Sequence, residues 1–243
     1  MTALIVGASS GLGRALAEEL ADRRHDLLLV ASDARDLEAL MADLGLRHGV
    51  TVRALALDLA GSADPGAHIA VALEGMSPLS ALLLPIGYSR EDDDFSIAAV
   101  DIGQLLATNL HAPLAITHAL LPKLLQTRGT IALFGSIAAI RGRGRNVVYA
   151  TAKRGLVSLY ESLRQRYRTD ELRVQFYELG FLATNLTWGM RLPMPAMSPA
   201  TVARIVADRL GRGSAFRHIP RKWTLIAVII RALPWAIYRR VRS

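Results

Sequence analysis

The opening residues, MTALIVGASSGLGRALAEEL, leave few folds open. Thr2 to Val6 is a short apolar run, glycines follow at positions 7, 11 and 13, and a helical spacing then runs through Leu16 and Leu20. A strand that turns through glycines into a helix is how a parallel α/β sheet begins, because a crossover must precede the next parallel strand. The same small residues let a backbone approach a pyrophosphate at the helix N-terminus, where unpaired N–H groups and the helix dipole favour an anion. Gly7, Ser9, Ser10, Gly11, Leu12 and Gly13 are therefore candidate cofactor-binding residues.

The pattern recurs along the chain. Leu27 to Val30, Thr51 to Leu57, Leu79 to Leu84, Thr130 to Phe134 and Arg173 to Leu179 read as further strands separated by helical spacings. This alternation predicts an α/β, Rossmann-type doubly wound parallel sheet with helices on both faces, formed as a single domain by residues 1–219. A chain of 243 residues, 51% hydrophobic and 21% charged, has the size and composition for one well-buried globular domain. Without cysteine it has no disulfides, thiolate metal sites or cysteine nucleophiles. We expect no metal centre, and the N-terminus lacks the regions of a signal peptide.

The chemistry concentrates in FGSIAAIRGRGRNVVYATAK, Phe134 to Lys153. If Val147 onward is helical, Tyr149 and Lys153 share a face at i and i+4, while Ser136 emerges where an open α/β sheet binds its ligands. A phenol with a pKa near 10 is a poor acid–base group at neutral pH, and a nearby ammonium would lower it. Tyr149 is then the expected proton donor to a carbonyl oxygen, with Ser136 hydrogen-bonding that oxygen and Lys153 acidifying the phenol.

Other candidates lie at strand ends. An acid after the second strand suits adenosine ribose hydroxyls, whereas arginine suits a 2′-phosphate. Asp33 follows that strand slightly late, with Arg14 and Arg35 as available cations, which favours NADP(H) with NAD(H) as the alternative. Asp58, followed by Leu59, is placed either to meet the adenine amine or to cap a loop. Arg90 to Phe95 holds four acids and reads as a solvated loop. Ile97 to Leu125 reads as one long helix whose Asn109 either bends it or orders a relay water for Lys153. Thr184 either meets the nicotinamide amide or caps a helix, and Trp188 to Pro199, rich in Met and Pro, reads as a mobile lid suited to an apolar or bulky substrate.

These residues together resemble the short-chain dehydrogenase/reductase family over roughly residues 2–215. The resemblance rests on Gly7, Gly11 and Gly13, on Asp58, and on the set Asn109, Ser136, Tyr149 and Lys153, with Ser136 and Tyr149 13 positions apart. It implies hydride transfer between NAD(P)H and a carbonyl or alcohol. Tyr149 would be the acid–base group, Lys153 would bind ribose and tune it, Ser136 would polarise the carbonyl and Asn109 would hold the relay water. The family's Asn-Asn-Ala-Gly after the fourth strand is here Leu84-Pro85-Ile86-Gly87, and its Pro-Gly after the sixth is Leu179-Gly180.

The formal charge of +8 comes from the C-terminal end, since Arg217 to Ser243 holds seven Lys or Arg and no acid. Trp223 to Tyr238, about 24 Å if wholly helical at roughly 1.5 Å per residue, is short of a ~30 Å hydrocarbon core, and Arg231 and Pro234 interrupt it. Residues 220–243 are thus expected to form two short helices, lying on an anionic membrane surface or packing on a partner subunit of a homo-oligomer. Basic residues flanking apolar runs do not suit nucleic acid. The segment Arg231 to Arg240 also resembles the tail of decaprenylphosphoryl-2-keto-pentose reductases. The expectation is a cytoplasmic, membrane-peripheral ketoreductase of a lipid-linked keto-sugar or another bulky apolar ketone. The alternatives are a soluble 3-oxoacyl or general carbonyl reductase and a non-enzymatic NAD(P)-sensing scaffold.

Overall fold

The structure is a computed structural model and describes residues 1–184, 187, 189 and 194–240. Seven parallel strands form one sheet: β1 (Thr2–Val6), β2 (Asp26–Ala31), β3 (Val52–Ala56), β4 (Leu79–Leu84), β5 (Thr130–Ser136), β6 (Arg173–Leu179) and β7 (Ala215–Ile219). Their order is β3-β2-β1-β4-β5-β6-β7. The order reverses between β1 and β4, and a doubly wound sheet opens its ligand crevice at such a point, beyond the strands' C-terminal ends. β7 departs from the sequence reading, which carried a basic tail from this stretch. Two basic side chains among five residues hide the strand, and it pairs along one edge only, with β6.

Because parallel strands are covered on both faces, β1, β2 and β4 read as continuous apolar runs. On one face Ala3, Ile5, Leu27, Leu29 and Leu83 pack against α1 (Gly11–Asp22), α2 (Ala34–His48) and α7 (Pro199–Ala207). On the other, Leu4, Val6, Leu28, Leu82 and Phe176 meet α3 (Pro65–Ala72), α5 (Ala112–Gln126) and α6 (Val147–Arg166). The long helix expected over 97–125 begins at Ala99 and has three parts: α4 (Ala99–Leu106), a π-helical turn over Ala107–His111, and α5. Pro113 has no N–H for the carbonyl of Asn109, so a regular ladder cannot run through this point.

The C-terminal segment folds onto the body. α8 (Trp223–Ala232) and α9 (Trp235–Tyr238) lie either side of Pro234, where the sequence breaks the helix. Trp223 packs edge-on to Phe181, 5.8 Å between ring centroids, and closes over the end of β6. Gly180 makes this approach possible, since a Cβ there would stand 2.2 Å from the Trp223 indole nitrogen. Beneath α8, Glu178 of β6 is fully buried with Oε2 at 2.6 Å from Nε2 of His218 on β7. Burial pushes Glu178 up to about 7, against the opposing fields of Arg231 and Arg154. The outer side of the segment exposes Leu225, Val228, Ile229, Trp235 and Ile237. Among the described residues no helix is long and apolar enough to cross a membrane.

Candidate active site

The glycine turn after β1 is built for close backbone contact. Gly7 has φ +92°, and its N–H and that of Ala8 both donate to Val30 O, at 2.7 and 3.0 Å. A Cβ on Gly13 would fall 1.8 Å from Gly7 O, so α1 can start this near the strand only with glycine there. Ser10 caps α1 in an extended conformation without a side-chain hydrogen bond, and the first turn carries no acid. With no side-chain cap from Ser10, this N-terminus fits the pyrophosphate of a dinucleotide. Ser9 and Leu12 lie in the same turn. Thr184, after β6, arrives above it, its methyl 3.2 Å from where a Cβ of Gly11 would stand.

At the end of β5, Ser136 Oγ accepts from Ala138 N at 3.2 Å, and its hydroxyl acts to lower the pKa of the Tyr149 phenol. Tyr149 stands in the first turn of α6, one helical turn before Lys153. The Lys153 ammonium is buried and donates to Ile86 O at 2.5 Å and Phe134 O at 3.2 Å. It thereby ties the ends of β4 and β5 together, in a chain that lacks the asparagines resembling proteins carry after β4. Two of its three protons are used, leaving one for a ligand.

The electrostatics correct the sequence reading of the phenol. Burial raises the pKa of Tyr149 above its ordinary value, and what opposes the rise is the Ser136 hydrogen bond and then the Arg143 guanidinium. The Lys153 ammonium, 5.8 Å from the Tyr149 ring centroid, points at carbonyls and is itself lowered by burial to about 8. The i, i+4 spacing brings the two residues together, but the buried carbonyls take the amine's charge.

Asn109 is also placed differently. It is fully buried in the π-helical turn, where its side-chain nitrogen donates to Tyr88 O at 2.7 Å and Leu105 O at 2.9 Å, and its oxygen accepts from Tyr88 N at 3.0 Å. One amide proton braces the segment after β4 and the other bonds back to α4, so the side chain has no proton left for a relay water.

The acidic loop is not simply solvated. Asp93 is 1% exposed, and its carboxylate accepts from the amides of Val148 and Tyr149, both at 2.9 Å, while its carbonyl accepts from Val147 N at 3.2 Å. Asn146 enters α6 with φ +53°, outside the extended region in which a residue caps its own helix, and it makes no capping bond. The cap for the helix bearing Tyr149 therefore comes from 55 residues upstream, where no local sequence signal can announce it.

At the β2–β3 edge the proposed adenosine contacts are partly engaged. Asp33 is exposed and caps α2 by accepting from Asp36 N at 3.0 Å. Asp58 is likewise exposed and accepts from Ala60 N at 3.0 Å, with Leu59 half-buried beside it. Arg14 and Arg35 are exposed, and among the described residues neither has an ion-pair partner. Of the expected lid, residues 188 and 190–193 lie outside the described residues. Met197 reaches the strand end, its amide donating to Phe181 O at 2.9 Å.

A family model described as short chain dehydrogenase matches residues 1–194. An uncharacterised oxidoreductase of Myxococcus xanthus is 29% identical over 248 residues, covering 99% of this chain and 97% of that protein. A 3-oxoacyl-[acyl-carrier-protein] reductase of Bos taurus is 28% identical over 184 residues, covering 75% and 76% respectively. Among solved structures, a short-chain dehydrogenase from Sphingobium yanoikuyae in complex with NADPH superposes with a TM-score of 0.82 at 26% identity. That match covers 100% of this chain and 96% of the other.

Proposed function

The chain belongs to the short chain dehydrogenase family, and from that premise we propose that it is a ketoreductase preferring NADP(H), with Ser136, Tyr149 and Lys153 as its catalytic centre. An oxidoreductase of this family works with a nicotinamide cofactor. The observation that carries the reading is the placement of Ser136 at the end of β5 and of Tyr149 in the first turn of α6, with the buried Lys153 ammonium 5.8 Å from the Tyr149 ring centroid.

A bound reduced nicotinamide supplies the hydride, and the chain's own residues handle the proton. The Ser136 hydroxyl hydrogen-bonds the substrate's carbonyl oxygen and polarises it. Burial keeps Tyr149 protonated at neutral pH, which suits a donor to that oxygen. The charge left on the phenol is faced by the Arg143 guanidinium and, one helical turn away, the Lys153 ammonium. With the proton not given to Ile86 O and Phe134 O, Lys153 would hold a ribose hydroxyl of the cofactor.

Arg14 and Arg35 support a 2′-phosphate, and the Asp33 carboxylate, busy with Asp36 N, offers less to ribose hydroxyls. For the substrate, the exposed apolar residues of α8 and α9 beside Arg221, Lys222, Arg239 and Arg240 support contact with an anionic membrane and a lipid-linked keto-sugar. The second reading is a 3-oxoacyl reductase whose C-terminal segment builds a homo-oligomer, and the relative from Bos taurus favours the 3-oxoacyl substrate of that reading.

Tyr149→Phe is expected to abolish NADPH-dependent ketone reduction while NADPH still binds, and unchanged turnover rejects this centre. Flotation with anionic liposomes of the full chain, against one ending at Pro220, separates the two substrate readings. Equal flotation removes the membrane.

A further inference from the structure

The loop that leads into α6, residues 140–146, carries glycines at 142 and 144 between arginines at 141, 143 and 145. A Cβ on either glycine would meet nothing within 4 Å, and neither has a positive φ, so no close approach or turn requires glycine there. What the two supply is freedom, and such a stretch keeps one conformation only if other segments hold it. It runs from Ser136 to Tyr149, the two side chains that would hold the carbonyl, and Arg143 at its middle bears on the charge of the Tyr149 phenol.

Both ends of the loop are tied from nearby. Arg154 of α6 donates to Ala139 O at 3.2 Å and Ile140 O at 3.1 Å, and Asp93 O accepts from Val147 N at 3.2 Å. The middle is held by the C-terminal segment. Arg141 donates to Ile230 O at 3.0 Å and Leu233 O at 2.5 Å, at the C-terminal end of α8. The helical donor to Ile230 O would be the N–H of residue 234, a proline, so the guanidinium supplies the hydrogen that the sequence withholds. The same guanidinium lies 4.2 Å from the centroid of the Tyr238 ring and 5.7 Å from that of Trp235. Tyr238 returns the contact, its hydroxyl donating to Gly142 O at 2.8 Å across 96 residues of chain. α9 has no buried residue, so these contacts and not a core fix it against the loop.

We propose that Arg141 and Tyr238 are positioning residues for ketone reduction: through them the docked C-terminal segment holds the loop between Ser136 and Tyr149 in the shape that the ketone site needs. The inference rests on the ketoreductase reading of Ser136 and Tyr149, and it gives α8 and α9 a role that requires neither a membrane nor a partner subunit. Arg141 and Tyr238 act by removing freedom from a loop that its two glycines would otherwise leave mobile. The cofactor turn after β1 is built from Gly7, Ala8 and Gly13 against Val30 and stands without this clamp. With the segment released, the enzyme should bind NADPH normally and reduce ketones poorly.

The test uses the full chain with NADPH and two ketones, ethyl 3-oxobutanoate and the bulkier, apolar 2-tetralone. Tyr238→Phe keeps the ring beside Arg141 and removes the bond to Gly142 O, so it should lower ketone kcat/KM about two- to tenfold, the span of a neutral hydrogen bond. Arg141→Met keeps the stem and removes the donors, for a loss of about ten- to a hundredfold, and Arg141→Lys should recover part of it. NADPH affinity by fluorescence titration should hold at the wild-type value in all three. Adding Gly142→Ala and Gly144→Ala restricts the loop by itself and should raise the activity of Tyr238→Phe more than that of the wild type, a rescue that a merely structural segment would not show. Full activity in both Tyr238→Phe and Arg141→Met, a loss shared equally by NADPH binding, or one that the alanines do not relieve overturns the proposal. Hydrogen exchange of the 141–147 amides, read by mass spectrometry without ketone, should quicken in Tyr238→Phe and Arg141→Met, and unchanged exchange overturns it too. Quickened exchange beside a wild type that reduces neither ketone upholds the clamp and counts against the ketoreductase reading instead.

Discussion

Replacing Asp93 by alanine strips α6, the helix that bears Tyr149, of its cap without touching Ser136, Tyr149 or Lys153 themselves. The wild-type carboxylate accepts from Val148 N and Tyr149 N at 2.9 Å each, and the first of these bonds is buried. A buried donor left unpaired costs about 1–3 kcal/mol, and a carboxylate at a helix N-terminus contributes a further ~0.3–1 kcal/mol. Water can reach the Tyr149 amide, so only the Val148 amide bears the full penalty, and the total is about 1.3–4 kcal/mol. With an unfolding entropy of about 2.1 cal/mol/K per residue, that lowers Tm by roughly 3–8 °C in a chain of this size. Asp93→Asn keeps one acceptor and loses the charge, so it should fall about halfway. Differential scanning calorimetry gives the shifts. Steady-state kinetics should show kcat falling while the NADPH KM changes little, because the first turn of α6 holds Tyr149. A Tm within about 1 °C of wild type, with kcat intact, would refute the remote cap.

Three further outcomes are expected. Lys153, lowered to about 8, loses its proton as pH rises past that value, so reductive kcat/KM should decline above about pH 8. A flat profile to high pH would show that this charge is not used. Glu178, raised from 4.5 to about 7, keeps its proton when folded over a range where the unfolded chain has lost it, so this residue makes stability fall as pH rises from 4.5 to 7. Glu178→Gln should remove that decline from Tm measured against pH, and an unchanged slope would exclude Glu178 as its source. Gly13→Ala drives a methyl into Gly7 O and should abolish NADPH binding by fluorescence titration, whereas retained affinity would mean that the turn can open.

The amino-acid sequence by itself determined the parallel sheet, because each strand buried on both faces writes an uninterrupted apolar run, as Leu79 to Leu84 does. It also marked the turn after β1 as the candidate cofactor site, since Gly13 answers to Gly7 O, only six residues away. The pairing of Ser136 with Tyr149 was legible for a related reason: one ends a strand and the other opens the helix returning from it. β7 was not legible, because an edge strand has a single neighbour to satisfy and tolerates Arg217 and His218.

Tertiary structure alone decided which charges act on one another. Lys153 is four residues from Tyr149, yet its ammonium turns to Ile86 O and Phe134 O. Arg143 and Asp93, six and 56 positions from that tyrosine, bias its phenol and hold its backbone. Trp223 covers the end of β6 because Gly180 leaves it room. Burial along a strand is written residue by residue in its own side chains. Electrostatic partnership depends on distances that exist only after remote segments have packed.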